Sequence, residues 1–171
     1  MPIDMMPIKI SSAKTPAQII EVADLANTIW TEHFTPLIGS AQVYYMLEKF
    51  QSVAAITNQI HEGYRYFLIK LGDESIGYTA IHAEPEKNSL FLSKIYVVKT
   101  CRGRHIATKT ISFIKELCKK EELHKIRLTV NKGNLSSIKV YEHLGFIKVR
   151  DVVTNIGEGY VMDDHIMEMT V

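Results

Sequence analysis

The stretch Lys94-Ile-Tyr-Val-Val-Lys-Thr-Cys-Arg-Gly-Arg-His-Ile-Ala107 decides the fold of this chain. An apolar segment runs into a short basic turn, and the turn opens into an amphipathic helical pattern. The first N–H groups of a helix have no partner inside the helix, and the helix dipole places positive charge at the same end. Together with Arg102 and Arg104, these groups predict a site for a phosphate group at this turn.

Length and composition are those of one globular domain. The chain has 171 residues, of which 46% are hydrophobic and 23% are charged. The formal net charge of +1 gives no overall attraction to nucleic acid or to a membrane surface. Two cysteines, Cys101 and Cys118, provide neither a disulfide framework nor a metal cluster. With no signal-peptide pattern and no apolar run of membrane-spanning length, we expect a single cytoplasmic domain over residues 1–171.

The N-terminal part of the chain predicts one strand followed by helices. A short strand is expected from Pro7 to Ser12, and Thr15-Pro16 is a typical helix start. Apolar residues keep helical spacing to about His33, after which Thr35-Pro36 is expected to interrupt the helix. Further helical patterns occupy residues 40–63.

The rest of the chain predicts a sheet with two more helices. Aromatic and β-branched residues alternate with turn residues, as is typical of strands. The expected elements are strands at 64–71, 76–82 and 90–98, a helix at 103–121, a strand at 125–130, a helix at 135–144, and strands at 146–153 and 165–171. The order β-αα-βββ-α-β-α-ββ indicates a mixed, mostly antiparallel α/β fold.

A second motif lies one strand after the basic turn, as Asn131-x-x-Asn134-x-x-Ser137-x-x-x-Tyr141-x-x-x-Gly145-Phe146. Together with Arg102-Gly103-Arg104-His105-Ile106-Ala107, it resembles the GCN5-related N-acetyltransferases (GNAT), which use acetyl-CoA. The short turn alone would be a weak signal, and the second motif at this distance makes it specific. The resemblance covers about residues 64–150, and the helices at 16–61 resemble those of the spermidine/spermine (PaiA-like) branch.

The resemblance implies a fold and a cofactor site. In this family the fourth and fifth strands splay apart, and the exposed backbone of the fourth strand pairs with the pantetheine arm of CoA, as an added strand would. The N–H groups of the turn hold the pyrophosphate. The positions that match this site are Ile95, Tyr96, Val97, Val98, Arg102, Gly103, Arg104, His105, Ile106, Ala107, Thr108, Asn134, Ser137 and Tyr141.

Two of these positions depart from the family pattern. His105 stands in the place of the first turn glycine, where a side chain requires either a negative φ or compensation for a strained positive φ. Ser137 stands where alanine is common, and its hydroxyl would face the cofactor. Gly103 and Ala107 keep the turn small elsewhere.

The resemblance implies direct attack of a primary amine on the acetyl thioester, with both substrates bound. An alkyl ammonium has a pKa of about 10.4, so it must lose a proton before it attacks. Tyr141 matches the family's hydroxyl near the cofactor sulfur and is expected to protonate or hydrogen-bond the leaving thiolate; a core tyrosine is the alternative. A backbone N–H near Tyr96 or Val97 is expected to stabilise the thioester oxygen. A route through an acetylated Cys101 is a further alternative.

The general base stays open in the sequence. Relatives often place a glutamate on the strand before the turn, where this chain has Phe91 and Ser93. Glu84, Glu86, His82 and a water molecule relayed through the splay are the alternatives.

The acceptor side is expected among the helices at residues 16–61. Trp30 and His33 could line the acceptor pocket or serve in packing. The segment 158–164, which ends in Asp163-Asp164, is acidic and aromatic. It fits either a cationic acceptor such as a polyamine or an exposed hairpin tip.

Two classes of function follow from these motifs. The first is an N-acetyltransferase that uses acetyl-CoA and an amine acceptor: a polyamine, a small metabolite, or a protein or peptide amine. The alternative is a non-catalytic acyl-CoA-binding or sensor module; Tyr141 and Asn134 favour the enzyme, whereas His105 and the missing strand glutamate favour the sensor. A nucleotide-binding protein is disfavoured, because neither Gly-x-x-x-x-Gly-Lys-Ser/Thr nor Gly-x-Gly-x-x-Gly occurs.

The sequence also allows a homodimer in which the final strand, residues 166–171, pairs across a two-fold axis.

Overall fold

The computed structural model describes residues 6–171. Its helices and strands are, in chain order, β1 (Ile8–Ser12), α1 (Pro16–Ile38), α2 (Ser40–Phe50), α3 (Val53–His61), β2 (Arg65–Leu71), β3 (Glu74–Glu84), β4 (Ser89–Val97), α4 (Ile106–Lys120), β5 (Lys125–Asn131), α5 (Leu135–Leu144), β6 (Ile147–Gly157) and β7 (Tyr160–Thr170). The mixed α/β fold predicted from the sequence is confirmed. The helical patterns expected within residues 40–63 form two helices, α2 and α3, so three helices precede β2 where the predicted order β-αα-βββ had two.

The seven strands form one sheet in the order β1-β2-β3-β4-β5-β7-β6. All neighbours are antiparallel except β4 and β5, which are parallel. Within residues 6–171, β4 and β5 pair only where Ser89–Phe91 faces Lys125–Arg127. Beyond Phe91 the two strands separate, which confirms the predicted splay.

Helices cover both faces of the sheet. On one face, α1, α2 and α3 pack around buried side chains that include Ile29, Tyr66 and Tyr78. On the other face, α4 and α5 pack around a second core that includes Ile114 and Ile126. Burial of such side chains contributes about 1.5–3 kcal/mol each and holds the helices to the sheet. No helix in the described part of the chain has the length and apolar character needed to cross a membrane.

Helix α1 is longer than the sequence predicted. The expected break at Thr35-Pro36 is wrong, because the helix continues to Ile38 with Pro36 inside it. Pro36 lies in the last turn, where its missing N–H removes a single helical bond. The Gly39 N–H donates to the Thr35 carbonyl at 2.9 Å and closes that turn, while Phe34 is buried beneath it. The end of α1 therefore reaches the splay between β4 and β5.

The C-terminal hairpin also differs from the prediction. Glu158 and Gly159 form a tight turn with φ of 53° and 79°, and β7 begins at Tyr160 rather than at His165. β7 lies between β5 and β6 and pairs with both. The expectation that the final strand pairs across a two-fold axis is therefore wrong for residues 166–168, which already have partners on both sides. A homodimer itself stays a prediction.

Candidate functional site

The splay between β4 and β5 opens into a cavity of about 760 Å³. The end of α1, both splayed strands, the turn before α4 and helix α5 form its walls. The positions predicted for the cofactor that line it are Ile95, Tyr96, Val97, Arg102, Gly103, His105, Ile106, Ala107, Thr108, Asn134, Ser137 and Tyr141. The fold thus brings both sequence motifs to one space.

Val98 and Arg104 are the two predicted cofactor positions that are not part of this lining. The Val98 N–H donates to the Ile76 carbonyl at 2.8 Å, so it is paired with β3. Arg104 is half-buried. The sequence placed both residues with their neighbours, because the motif does not show which of its side chains line the cavity.

The turn before α4 presents the start of a helix to the cavity. The first bond of the helix runs from the Lys109 N–H to the His105 carbonyl at 3.1 Å. The N–H groups of Ile106, Ala107 and Thr108 therefore precede the helical ladder. The side chain of His105, the N-cap residue, makes no capping hydrogen bond. An anionic group is the natural partner for these N–H groups and for the positive end of the helix dipole.

His105 has a left-handed backbone, with φ 59° and ψ 21°. Of the two outcomes that the sequence left open, the structure shows the positive φ. Gly103 also has a positive φ of 79°, which glycine adopts without strain. For a residue with a Cβ, the left-handed conformation costs about 1–2 kcal/mol, and histidine is among the residues that tolerate it best. The turn therefore keeps its shape at a local cost in stability.

The part of β4 that faces the splay is held in place from the β3 side. A Cβ on Gly77 of β3 would lie 2.3 Å from the Tyr96 carbonyl oxygen, so only glycine allows the observed approach. At the end of β4, the Arg102 Nε–H donates to the Val97 carbonyl at 3.2 Å. These contacts fix Tyr96 and Val97 while their other edge stays free of strand pairing.

His33 connects the two motifs across the mouth of the splay. Its Nε2 lies 3.0 Å from Asn134 Oδ1, and its Nδ1 lies 3.4 Å from the Arg102 guanidinium. Burial lowers the pKa of His33; the Asn134 hydrogen bond opposes this shift, and the Arg102 charge adds to it. A neutral imidazole fits both contacts, since Nε2 then donates to Asn134 and Nδ1 accepts from Arg102.

Tyr141 lies on α5 with its ring 5.8 Å from that of Phe146. Burial raises the pKa of Tyr141 to about 12, so its phenol is neutral at neutral pH and available as a hydrogen-bond donor. Burial also raises the pKa of Tyr96, and the nearby Tyr141 and Asp164 add to that shift. Tyr141, Tyr96 and Asp164 are therefore neighbours at the splay.

An aromatic cluster forms the wall on the α1 side. The ring centre of Trp30 lies 4.4 Å from that of Phe34 and 5.5 Å from that of Tyr96, and the Phe34 and Tyr96 rings meet edge to face at 6.1 Å. All three residues line the cavity. Trp30 is buried and also lines the cavity. The packing role and the pocket-lining role considered for it are therefore compatible.

Lys94 is a buried cation in the same cavity. It is 7% exposed, and its Nζ lies 2.6 Å from the Tyr66 hydroxyl and 2.8 Å from Gln59 Oε1. Burial lowers the pKa of Lys94 to about 7. These partners are oxygen atoms of neutral side chains, so the charge of Lys94 is solvated by the protein without a neighbouring carboxylate.

Asp164 faces the cavity from the other side of the splay. Strand alternation separates it from Asp163, whose side chain is 53% exposed and pairs with Lys132 at 2.8 Å. Asp164 is 4% exposed and lines the cavity. Burial, with Asp163 adding to it, raises the pKa of Asp164 to about 6; His165 and Lys132 oppose the shift. In the described part of the chain, Asp164 has no side-chain hydrogen bond or ion pair, and its oxygens are not among the fully buried unpartnered atoms.

The sequence matches the acetyltransferase (GNAT) family over residues 22–146. The chain belongs to this family. A comparison with curated proteins gives no match. Within residues 6–171, no group of three or more His, Cys, Asp or Glu side chains of this GNAT protein is arranged to hold a metal ion.

Solved structures of acetyltransferases share the fold of this GNAT chain. PaiA N-acetyltransferase from Thermoplasma acidophilum, in complex with coenzyme A, is 16% identical with a TM-score of 0.81, over 97% of this chain and 100% of that chain. A GCN5-related N-acetyltransferase from Rhodopseudomonas palustris is 10% identical with a TM-score of 0.79, over 100% and 99%. A chimera of spermidine N-acetyltransferase SpeG from Vibrio cholerae and hSSAT is 15% identical with a TM-score of 0.71, over 95% of each chain. At these levels of sequence identity, the similarity to these three structures shows a shared fold.

The base candidates named from the sequence lie away from the GNAT splay. Glu84 is paired with Arg127 at 2.8 Å, and none of Glu84, Glu86 and His82 lines the cavity. Ser93 lines it but has no carboxylate. Asp164 is the buried acid that sequence reasoning missed as a candidate base, because it placed this residue in a hairpin loop rather than inside β7.

The acidic, aromatic segment 158–164 does not form one patch. Glu158 and Tyr160 lie in a second, shallow cleft, where the Tyr160 ring is 5.2 Å from that of Tyr45. Asp163 points to solvent and Asp164 points into the main cavity. The segment therefore contributes one residue with a carboxylate to the GNAT site.

Proposed function

We propose that this acetyltransferase moves the acetyl group of acetyl-CoA to a primary amine, with both substrates bound, and that residues 1–171 form one catalytic domain. One observation carries the proposal. The splay places an uncapped helix start, a free strand edge, the Tyr141 phenol and a buried acid around one cavity. The amine acceptor is a polyamine, a small metabolite, or a protein or peptide amine.

The cofactor binds along β4 in this proposal. The amide groups of pantetheine pair with the free edge at Ile95–Val97, as an added strand would. The pyrophosphate lies on the N–H groups at the start of α4, with Arg102 beside it. Asn134 and Ser137 contact the cofactor from the α5 side. This arrangement directs the thioester into the splay, towards Tyr141.

The amine enters from the face covered by α1–α3. That face supplies the aromatic wall of Trp30 and Phe34, and the helices at residues 16–61 are therefore the acceptor side. The two substrates meet in the splay, because the gap between β4 and β5 joins the two faces of the sheet.

The transfer then needs one bond to form and one to break. The neutral amine attacks the carbonyl carbon, and a carbon–nitrogen bond forms while the carbonyl pair moves to oxygen. The N–H of Val97 stabilises that oxygen, because the Tyr96 and Val98 backbone groups face β3. Collapse restores the carbonyl and breaks the carbon–sulfur bond, with the electron pair leaving on sulfur. An ammonium loses two protons overall; one ends on the thiolate and the other goes to solvent.

Tyr141 acts on the leaving sulfur mainly by hydrogen bonding. Its pKa of about 12 exceeds that of a thiol, about 8.5, so complete proton transfer to the thiolate is uphill by about 5 kcal/mol. A hydrogen bond from the phenol stabilises the developing charge without that transfer. The proton that finally remains on sulfur comes from the amine or from solvent.

The test is thiol release from acetyl-CoA with a panel of amines, for the wild type and Tyr141→Phe. We expect the substitution to lower kcat about 100-fold and to change the CoA dissociation constant less than about twofold. Tyr44→Phe, at a tyrosine that is 70% exposed outside the cavity, is the matched control. An unchanged kcat for Tyr141→Phe at every pH would remove Tyr141 from the mechanism.

Initial velocities with both substrates varied test the order of events. Intersecting lines are expected for direct attack in a complex of both substrates. Parallel lines would instead indicate an acetyl-enzyme, for which Cys101 is the lining residue with a thiol. Tight binding of CoA without acetylation of any amine would support the non-catalytic sensor.

A further inference from the structure

We propose that the acceptor is a monoamine with an apolar or aromatic body, and that its ammonium group docks on Asp164. This inference rests on the proposed acetyl transfer to an amine. It narrows the acceptor to one class and names the residue that holds the reacting nitrogen.

The first argument is that the carboxylate of Asp164 has no hydrogen-bond donor or cation as a partner among the described residues. Its side chain is buried and points into the cavity, and in the described part of the chain no hydrogen bond reaches its carboxylate. In the described residues, the Asp164 oxygens are not among the fully buried atoms without a partner, so they face the space of the cavity, where a ligand can reach them. Asp163, the next residue, already has Lys132 as its partner. An ammonium group brought by a ligand supplies the positive charge and the N–H donors that Asp164 lacks.

The second argument is the balance of charge in the cavity. Among the described residues that line it, Asp164 is the only one with a carboxylate. Lys94 lies in the same lining. A polyamine would have to place its second and third cations beside Lys94, apolar side chains, or neutral polar side chains such as Gln51 and Asn131. A single ammonium group can pair with the one carboxylate of this lining, whereas the additional cations of a polyamine have no second carboxylate among the described lining residues.

The third argument is the wall that would surround the rest of the ligand. Trp30, Phe34 and Tyr96 form a continuous aromatic cluster, and Met46 and Met162 extend it. Such a wall favours an apolar or aromatic body, and the face of an aromatic ring also attracts an ammonium group. Asp164 and the aromatic cluster therefore match the two ends of an arylalkylamine or alkylamine.

Asp164 is also placed to accept the proton that the ammonium must lose. In that step a nitrogen–hydrogen bond breaks, its electron pair stays on nitrogen, and the proton moves to a carboxylate oxygen and then to solvent. A carboxylate in contact with the ammonium group can act as the general base for this proton.

The experiment compares 2-phenylethylamine and hexylamine with putrescine and spermidine, by thiol release and by calorimetric binding to the CoA-loaded protein. We expect kcat/KM for the monoamines to exceed that for spermidine by at least about tenfold. Asp164→Asn should lower kcat/KM and the binding constant for the monoamines by about 100-fold. Asp163→Asn, the matched control on the exposed side of β7, should change both by less than about twofold. CoA affinity should be unchanged in both variants, which also verifies their folding.

The outcomes separate this inference from the proposed function. Faster acetylation of spermidine or putrescine, or full activity of Asp164→Asn, would overturn the inference and leave acetyl transfer to amines intact. Monoamine binding that depends on Asp164, but with no thiol release, would support the docking site and overturn the proposed function. Neither binding nor release of thiol with any of the four amines would overturn this inference, and the proposed function would then depend on the result with the wider amine panel.

Discussion

The buried lysine of the acceptor cavity makes the stability of this protein depend on pH in a predictable direction. Lys94 has a pKa of about 7 in the folded protein and about 10.4 in an unfolded chain. Below pH 7 both states carry the charge, and the folded state bears the full cost of burying it. Above pH 7 the folded state releases the proton first, so the unfolded state binds more protons and stability rises with pH up to about 10.4.

The size of the effect follows from the two pKa values. A difference of about 3.4 units corresponds to about 5 kcal/mol over the whole range. Between pH 7 and pH 9 the contribution of Lys94 amounts to about 2 kcal/mol. Lys94→Met removes this contribution, so its free energy of unfolding should exceed that of the wild type more at pH 7 than at pH 9. Lys94→Met also loses the hydrogen bonds to Tyr66 and Gln59. This loss changes the free energy of unfolding by the same amount at every pH, so it does not alter the pH dependence.

Urea unfolding at pH 7, 8 and 9 measures the difference directly. Lys120→Met removes an exposed lysine at the end of α4 and is the control. We expect the difference between Lys94→Met and the wild type to change by about 2 kcal/mol over this range, and that for Lys120→Met to stay constant within about 0.5 kcal/mol. Parallel curves for Lys94→Met and the wild type would refute the burial of a titrating ammonium at this site.

Two further predictions concern the backbone around the cofactor groove. Gly77→Ala should lower the free energy of unfolding by about 1–3 kcal/mol and weaken CoA binding, because a Cβ would lie 2.3 Å from the Tyr96 carbonyl oxygen; unchanged CoA affinity by calorimetry would contradict a role of this edge in binding. His105→Gly should raise the free energy of unfolding by up to about 1 kcal/mol. Glycine adopts the positive φ without strain, and the larger entropy of the unfolded chain offsets part of that gain. His105→Ala keeps the strain, so an equal gain in thermal stability from both variants would show that φ is not the cause.

Local sequence signals predicted the elements that carry the cofactor groove. The basic turn, the helix after it and Gly145 as a left-handed helix end, with φ 108°, are set by residues close in the chain. α5 has the predicted bounds, and the splay was expected from the resemblance to the GNAT family that the two motifs carry. The helix end predicted at Pro36 is wrong. A proline in the last turn of a helix lowers the stability of the helix only slightly when buried side chains hold that turn in place.

The acceptor side depends on contacts between distant parts of the chain, which the sequence does not display. His33 meets Arg102 and Asn134 across separations of 69 and 101 residues. Asp164 becomes a buried acid only because β7 pairs with both β5 and β6, which extends the strand beyond its apolar residues. Lys94 lies in the middle of β4, and nothing in the sequence indicated that its side chain is buried. These residues become recognisable only after the strands are paired.

A crystal structure of the protein with CoA tests the central claim most directly. We predict the pyrophosphate on the N–H groups of Ile106, Ala107 and Thr108, the pantetheine along the open edge of β4, and the sulfur within hydrogen-bonding distance of the Tyr141 hydroxyl. A nucleotide bound elsewhere on the surface, or a groove that takes up no CoA at millimolar concentration, would contradict the account.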